Sequence, residues 1–389
     1  MAMNVSLDAK EKIYFPGLNG LRFIAALCVI ITHIELEKAN MDIVNLWDNI
    51  FIFNLGSLGV YFFFVLSGFL ITYLLLSEKK ITETISIKNF YLRRIYRIWP
   101  LYYLLMLLGF FIFPNIDFFK HAYYDRFLHG DFWDKLFLFT FMLPNLCLAI
   151  YPNISHIGHA WSIGVEEQFY LIWPVILKYS KNALRMIIIF TGAWVFLKFL
   201  ILLAYINHGA SYNWLKYVKL FLAMGKIECM TIGALGAYVL FYNRKEILKY
   251  IYSKYVQVIS LLLIPLLICL TPDSIQDGIH IIFSFLFIII ILNVASNPDS
   301  ILKLNNKIFD FLGKISYGIY MYHLVIVFSV IKVIYGTMRG SFNVIVANIL
   351  CYSLSLFLTI FVSWISYTFY EKRFIKMKRK HTKISSGID

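Results

Sequence analysis

Arg22 and His33 lie in the apolar stretch GLNGLRFIAALCVIITHI, residues 17–34, where hydrocarbon makes an ionisable side chain costly. Eleven helical residues give roughly 16 Å of rise and about 20° of net rotation, so guanidinium and imidazole share one face at different depths. A guanidinium grips a phosphate or carboxylate through paired N–H donors, and an imidazole takes a proton from a hydroxyl near neutral pH. The pair suits an elongated anionic substrate held at a membrane rim and reacted deep inside. The alternative is an arginine snorkelling to the interface and a histidine in a structural hydrogen bond.

Four further stretches carry comparable groups. FYLRRIYRIWPLYY, residues 90–103, sets Arg93, Arg94 and Arg97 at the start of a span; Arg97 follows the other two by four and three residues, so all can share a helical face and bind phosphate. The same cluster also satisfies the positive-inside rule. HAWSIGVEEQFYLIWP, residues 159–174, places Trp161 ahead of adjacent carboxylates, Glu166 and Glu167. These point about 100° apart on a helix, so one can face a cavity while its neighbour packs elsewhere. ISYGIYMYHLVI, residues 315–326, carries Tyr322 and His323, and GVYFFFVLSGFLIT, residues 59–72, carries Ser67 beside Gly68. A small pair of that kind more often allows helices to approach than supplies a nucleophile. His156 and His159 form an HxxH without a convincing further ligand set, so no metal is expected. No Walker, GxGxxG or GxSxG pattern occurs. The five cysteines all fall in apolar stretches with no CxxC pair, and read as buried hydrophobes.

The elements that must position these groups are membrane helices. The 389 residues are 60% hydrophobic and only 15% charged, against about 25% charged in soluble domains. Runs of about 20 apolar residues predict an all-α polytopic protein with about ten transmembrane helices, near 17–36, 53–76, 98–114, 160–177, 186–206, 217–241, 252–270, 279–295, 311–334 and 343–368. A single membrane domain over 1–389 with no appended soluble domain and no removable signal peptide is expected. The shorter apolar stretch 136–150 holds Pro144 and Asn145 and reads as interfacial or re-entrant. A net charge of +14 raises the question of nucleic acid. Placing both termini in the cytoplasm puts 26 of the 36 Lys and Arg on that side, which accounts for the charge as topology and excludes nucleic acid as a partner.

Taken together, GLNGLRFIAAL with its histidine, GVYFFFVLSGFLIT, RRIYRIWPLYY, WSIGVEEQFYLIWP and SYGIYMYHL, in that order, resemble the acyltransferase 3 family of integral membrane acyltransferases. The resemblance implies transfer of an acyl group, usually acetyl, from cytoplasmic acyl-CoA (acetyl-CoA) to a hydroxyl of a cell-envelope glycan or glycolipid, in the bilayer of a bacterial inner membrane. It implies that Arg22 and His33 are essential and that the family's arginine pair falls on Arg94 and Arg97. The chain departs from the family pattern at Asn19, where aspartate is common, at Phe23, where glycine is common, and at Tyr61, where an acidic residue is frequent. The expected mechanism has Arg22, Arg93, Arg94 and Arg97 holding coenzyme A phosphates, the pantetheine threading toward His33 as general base, and Glu167 or Glu166 orienting that histidine. Trp161, Ser67, Tyr322 and His323 are expected to bind substrate or support the site. The rival reading is a secondary transporter or flippase of a small anion or glycolipid, because polar groups and interrupted helices also mark transport paths.

Overall fold

The computed structural model describes residues 12–120, 130–209, 211–270, 278–337, 343–378 and 385–386. Lys10 and the end of the basic tail, residues 379–383, lie outside them. The chain is an all-α polytopic membrane protein. Helix α1 is Leu18–Asn40 and α2 is Ile50–Thr82, begun by Asn49, whose side chain accepts from the Phe51 and Ile52 amides that open the helix. Helix α3, Ile87–Leu107, continues through a π-turn at Leu108–Ile112. Helices α4 (Phe132–Thr140) and α5 (Pro144–Ile150) follow, then α6 (Trp161–Tyr179) and α7 (Ala183–His208). The second half holds α8 (Asn213–Met224), α9 (Ile227–Phe241), α10 (Lys245–Ile251), α11 (Lys254–Leu270) and α12 (Ile279–Ser296). It closes with α13 (Lys307–Lys314), α14 (Ser316–Thr337), α15 (Val344–Ser366) and, past a π-turn, α16 (Lys372–Lys378).

Among the described residues eight helices are long and apolar enough to cross a bilayer, or nine if α10 and α11, bent by 58°, are one span. Helix α6, 19 residues long, stands where the fourth of the ten expected spans was placed but carries Glu166, Glu167 and Lys178, which keep it outside that count. Three local differences from the sequence reading have plain causes. The stretch 136–150 is two short helices, because Met142 turns the chain with φ at 59° ahead of Pro144. The span expected over 311–334 begins at Ser316, whose hydroxyl bonds the Gly313 carbonyl and ends α13 there. Helix α3 starts eleven residues before the expected 98, so its arginines sit inside the helix rather than ahead of it.

The scaffold around the site is a glycine seam. A Cβ on Gly68 of α2 would stand 1.9 Å from the Met230 carbonyl oxygen of α9, and one on Gly233 would stand 2.0 Å from that of Val65. The two backbones touch, as small residues allow where lipid provides no hydrophobic drive for association. With Gly68 spent on α9, its neighbour Ser67 faces α6 instead. Helices α8 and α9 break at Gly225–Lys226. There the buried Glu228 carboxylate accepts from Lys198 at 2.7 Å and Trp194 at 2.9 Å and meets His280, so this intramembrane charge is met by its own neighbours. Helices α7, α11 and α15 leave apolar side chains such as Phe196, Leu262 and Phe357 exposed, the surface a bilayer covers.

Candidate active site

Arg22 from α1, Arg94 and Arg97 from α3, and Glu166 from α6 wall one cavity, whose empty volume is about 760 Å³, part of it open to solvent. Three guanidiniums face one carboxylate, and that carboxylate is already engaged: Ser67 donates to it at 2.7 Å and Tyr170 at 3.0 Å. Arg22 reaches the Asn19 side-chain oxygen at 3.4 Å, and Asn19 is turned that way because its amide nitrogen donates to Asp310 at 3.2 Å. The Arg94 guanidinium lies over the rings of Phe90 and Tyr170, 5.8 and 5.9 Å from their centres, and its Nε is buried without a hydrogen-bond partner. A buried donor left unmade costs about 1–3 kcal/mol, so a cation-rich cavity with such a donor suits an anionic ligand.

A second constellation adjoins the first. His33 Nδ1 of α1 lies 2.9 Å from His323 Nε2 of α14, and the His159 ring, just before α6, packs 4.9 Å from that of His323. His159 is 4% exposed, and among the described residues neither of its ring nitrogens has a well-aligned hydrogen-bond partner. Beside it lies a small enclosed space walled by Met106, Phe139 and Met321. Tyr320 belongs to both constellations: it walls the arginine cavity, its hydroxyl shares a 2.6 Å hydrogen bond with Ser162 and reaches the His159 carbonyl at 3.1 Å, and Phe63 packs edge-on against its ring. His33 does not line the cavity. The contacts that join them run through Tyr320 and His323. Among the described residues no group of three or more His, Cys, Asp or Glu is arranged to hold a metal ion.

A family model described as an acyltransferase domain matches residues 15–368. The chain belongs to the acyltransferase 3 family. It is 28% identical over 386 residues to a Staphylococcus aureus (strain COL) protein with a provisional O-acetyltransferase name, covering 94% of this chain and 58% of that one. It is 28% identical to the O-acetyltransferase OatA of Staphylococcus aureus (strain NCTC 8325 / PS 47), over 92% of this chain and 57% of that protein. To the peptidoglycan O-acetyltransferase OatA of Listeria monocytogenes it is 31% identical over 182 residues, 43% of this chain and 26% of the relative. The chain thus spans a little over half the length of the staphylococcal relatives. Comparison with solved structures finds no match.

Within this acyltransferase 3 domain the candidates separate. Arg22, Arg94, Arg97, Ser67 and Glu166 converge on the cavity, and His323 meets His33. Other candidates lie apart from the cavity. Arg93 does not line the cavity and pairs with Glu78 at 2.9 Å, tying the start of α3 to the end of α2. Glu167 turns toward α3, where Trp99 donates to it at 3.2 Å, and neither it nor Glu166 is bonded to His33; the group against that imidazole is His323. Trp161 packs edge-on against Phe64 rather than lining the cavity, and Tyr322 bonds Ser366 of α15 at 2.9 Å. The expected path from Arg22 toward His33 is not continuous with the cavity, whose wall includes Tyr320 but not His33. His159, Ser162 and Tyr320 join these groups, although the sequence motifs single out neither Ser162 nor Tyr320. A usable signal was present: Tyr320 precedes His323 by three residues and so shares its face, whereas the chosen Tyr322 is its immediate neighbour.

Proposed function

We propose that the chain is a membrane O-acyltransferase that takes an acyl group, acetyl above all, from acyl-CoA and places it on a hydroxyl of an envelope glycan. One observation carries the reading: a cavity with three guanidiniums and an unpartnered Arg94 Nε adjoins, through Tyr320, a cluster of three histidines. Arg22, Arg94 and Arg97 hold the donor's phosphates, since forked guanidiniums match phosphate oxygens. The acceptor hydroxyl gives its proton to His33, its oxygen attacks the thioester carbonyl, the carbon–sulfur bond breaks, and the proton passes to the departing thiolate. For the thioester to reach His33, the Tyr320 side chain must leave its bond with Ser162.

The glycan acceptor follows the Listeria relative, named for peptidoglycan, and the names of the relatives favour acetyl as the acyl group. Positively charged loops favour the cytoplasm for both termini and for the cavity mouth, and the bacterial inner membrane as the setting. The transporter reading has less behind it, because the charges at the α8–α9 break satisfy one another. The test uses the protein in nanodiscs with acetyl-CoA and envelope glycan, reading free coenzyme A and glycan acylation. General-base help is typically worth about 10²- to 10⁴-fold, so His33→Ala loses transfer on that scale while coenzyme A still binds. Near-normal turnover in that variant overturns the reading.

A further inference from the structure

We propose that His323 is the positioning residue that decides which nitrogen of His33 carries the proton, leaving the His33 Nε2 lone pair free as the base. The proposal rests on the reading that His33 deprotonates the acceptor. His323 is wholly buried, and its Nδ1 lies against the carbonyl oxygen of Tyr320, one turn back in its own helix. A carbonyl oxygen only accepts, so that nitrogen bears the hydrogen. A neutral imidazole has one N–H, which makes His323 Nε2 a lone pair. His33 Nδ1, 2.9 Å from that lone pair, must therefore be the donor. Its remaining nitrogen, Nε2, then holds the lone pair a hydroxyl proton needs.

The surroundings agree. Besides this contact the His33 ring meets the Val29 backbone one turn back, and the residue is only partly buried, so an edge of the imidazole stays accessible. The reverse arrangement, with His33 accepting at Nδ1, would require hydrogens on both nitrogens of His323. Its partners are the Tyr320 and Ile319 backbone and His33, with no carboxylate among them to balance that charge. His159 and Tyr320, with rings 4.9 and 5.7 Å away, hold the His323 ring in place. A neutral acceptor here does for the tautomer what a carboxylate does in a serine hydrolase triad.

The test compares His323→Gln with His323→Phe in the full chain in nanodiscs, measuring kcat, acceptor KM and coenzyme A affinity. A glutamine oxygen can stand near the lost Nε2 and accept from His33, whereas phenylalanine fills the space with nothing that accepts. Expected is a kcat within about tenfold of the parent for His323→Gln and a fall of about 10²-fold or more for His323→Phe, with KM and coenzyme A affinity unchanged in both. A His323→Phe protein with kcat within about threefold of the parent, or equal losses in the two variants, overturns the proposal. His33→Ala run in parallel separates the two levels: if it is inactive while His323→Phe turns over normally, the base survives and its positioning by His323 does not.

Discussion

Three arginines within five residues read alike as a sequence, yet Arg93 is tied to Glu78 while Arg94 and Arg97 face the cavity, so their removal must have different consequences. Arg94 brings a buried Nε without a partner among the described residues to that cavity, and each charge-assisted hydrogen bond it would make to a phosphate of the proposed donor is worth about 1.5–3 kcal/mol. At 1.4 kcal/mol per decade, Arg94→Ala should weaken coenzyme A binding by about 10- to 100-fold. Arg93→Ala should leave that affinity unchanged. It should instead lower stability by about 1–3 kcal/mol, because Glu78, 4% exposed, loses its cation and keeps, among the described residues, the Ser86 amide. Isothermal titration of coenzyme A against purified protein, beside thermal unfolding of the same samples, reads both effects. Equal dissociation constants for the two variants would refute the separation and return all three arginines to a topological role.

Other expectations use the same two readouts. Glu166→Gln removes the carboxylate that lines the cavity and should tighten coenzyme A binding about fivefold, on the order of 1 kcal/mol at partly screened distance; weaker binding would mean that Glu166 itself holds the donor. Gly68→Ala drives a methyl group into the Met230 carbonyl oxygen and should cost about 1–3 kcal/mol or more, seen as lost folded protein in size-exclusion chromatography, while Gly192→Ala, with nothing within 4 Å, should be silent. Trp99→Phe leaves the buried Glu167, whose other oxygen already lacks a partner, without its indole donor; unfolding should come about 1–3 kcal/mol sooner with coenzyme A affinity intact.

What could be read ahead of the structure was whatever depends on spacing along one helix. The divergence of Glu166 from Glu167 follows from 3.6 residues per turn, and the close-packing role of Gly68 from its missing side chain. Partners between helices do not, because nothing local says which face of α14 meets α1. That is why Glu166 or Glu167 was expected against His33 where His323 stands, and why His159 was passed over as half of an HxxH: its partner is 164 residues on, while His156 turns with φ at 63° to bond the Phe119 carbonyl. Asn19 shows the same limit. The aspartate that the resemblance leads one to expect is absent there, but Asp310, far along the chain, supplies a carboxylate to the Asn19 amide, whose oxygen in turn accepts from Arg22.

The glycine contacts of α2 and α9 leave no slack on that flank, since carbonyl oxygens there already abut the α-carbons opposite. On the proposed reading, any breathing that admits a bulky thioester therefore falls to the aromatic flank, where the side chains of Phe63, Tyr317 and Tyr320 line the cavity. One side serves as an anvil and the other as a turnstile, and the turnstile's latch is the hydroxyl pair of Tyr320 and Ser162.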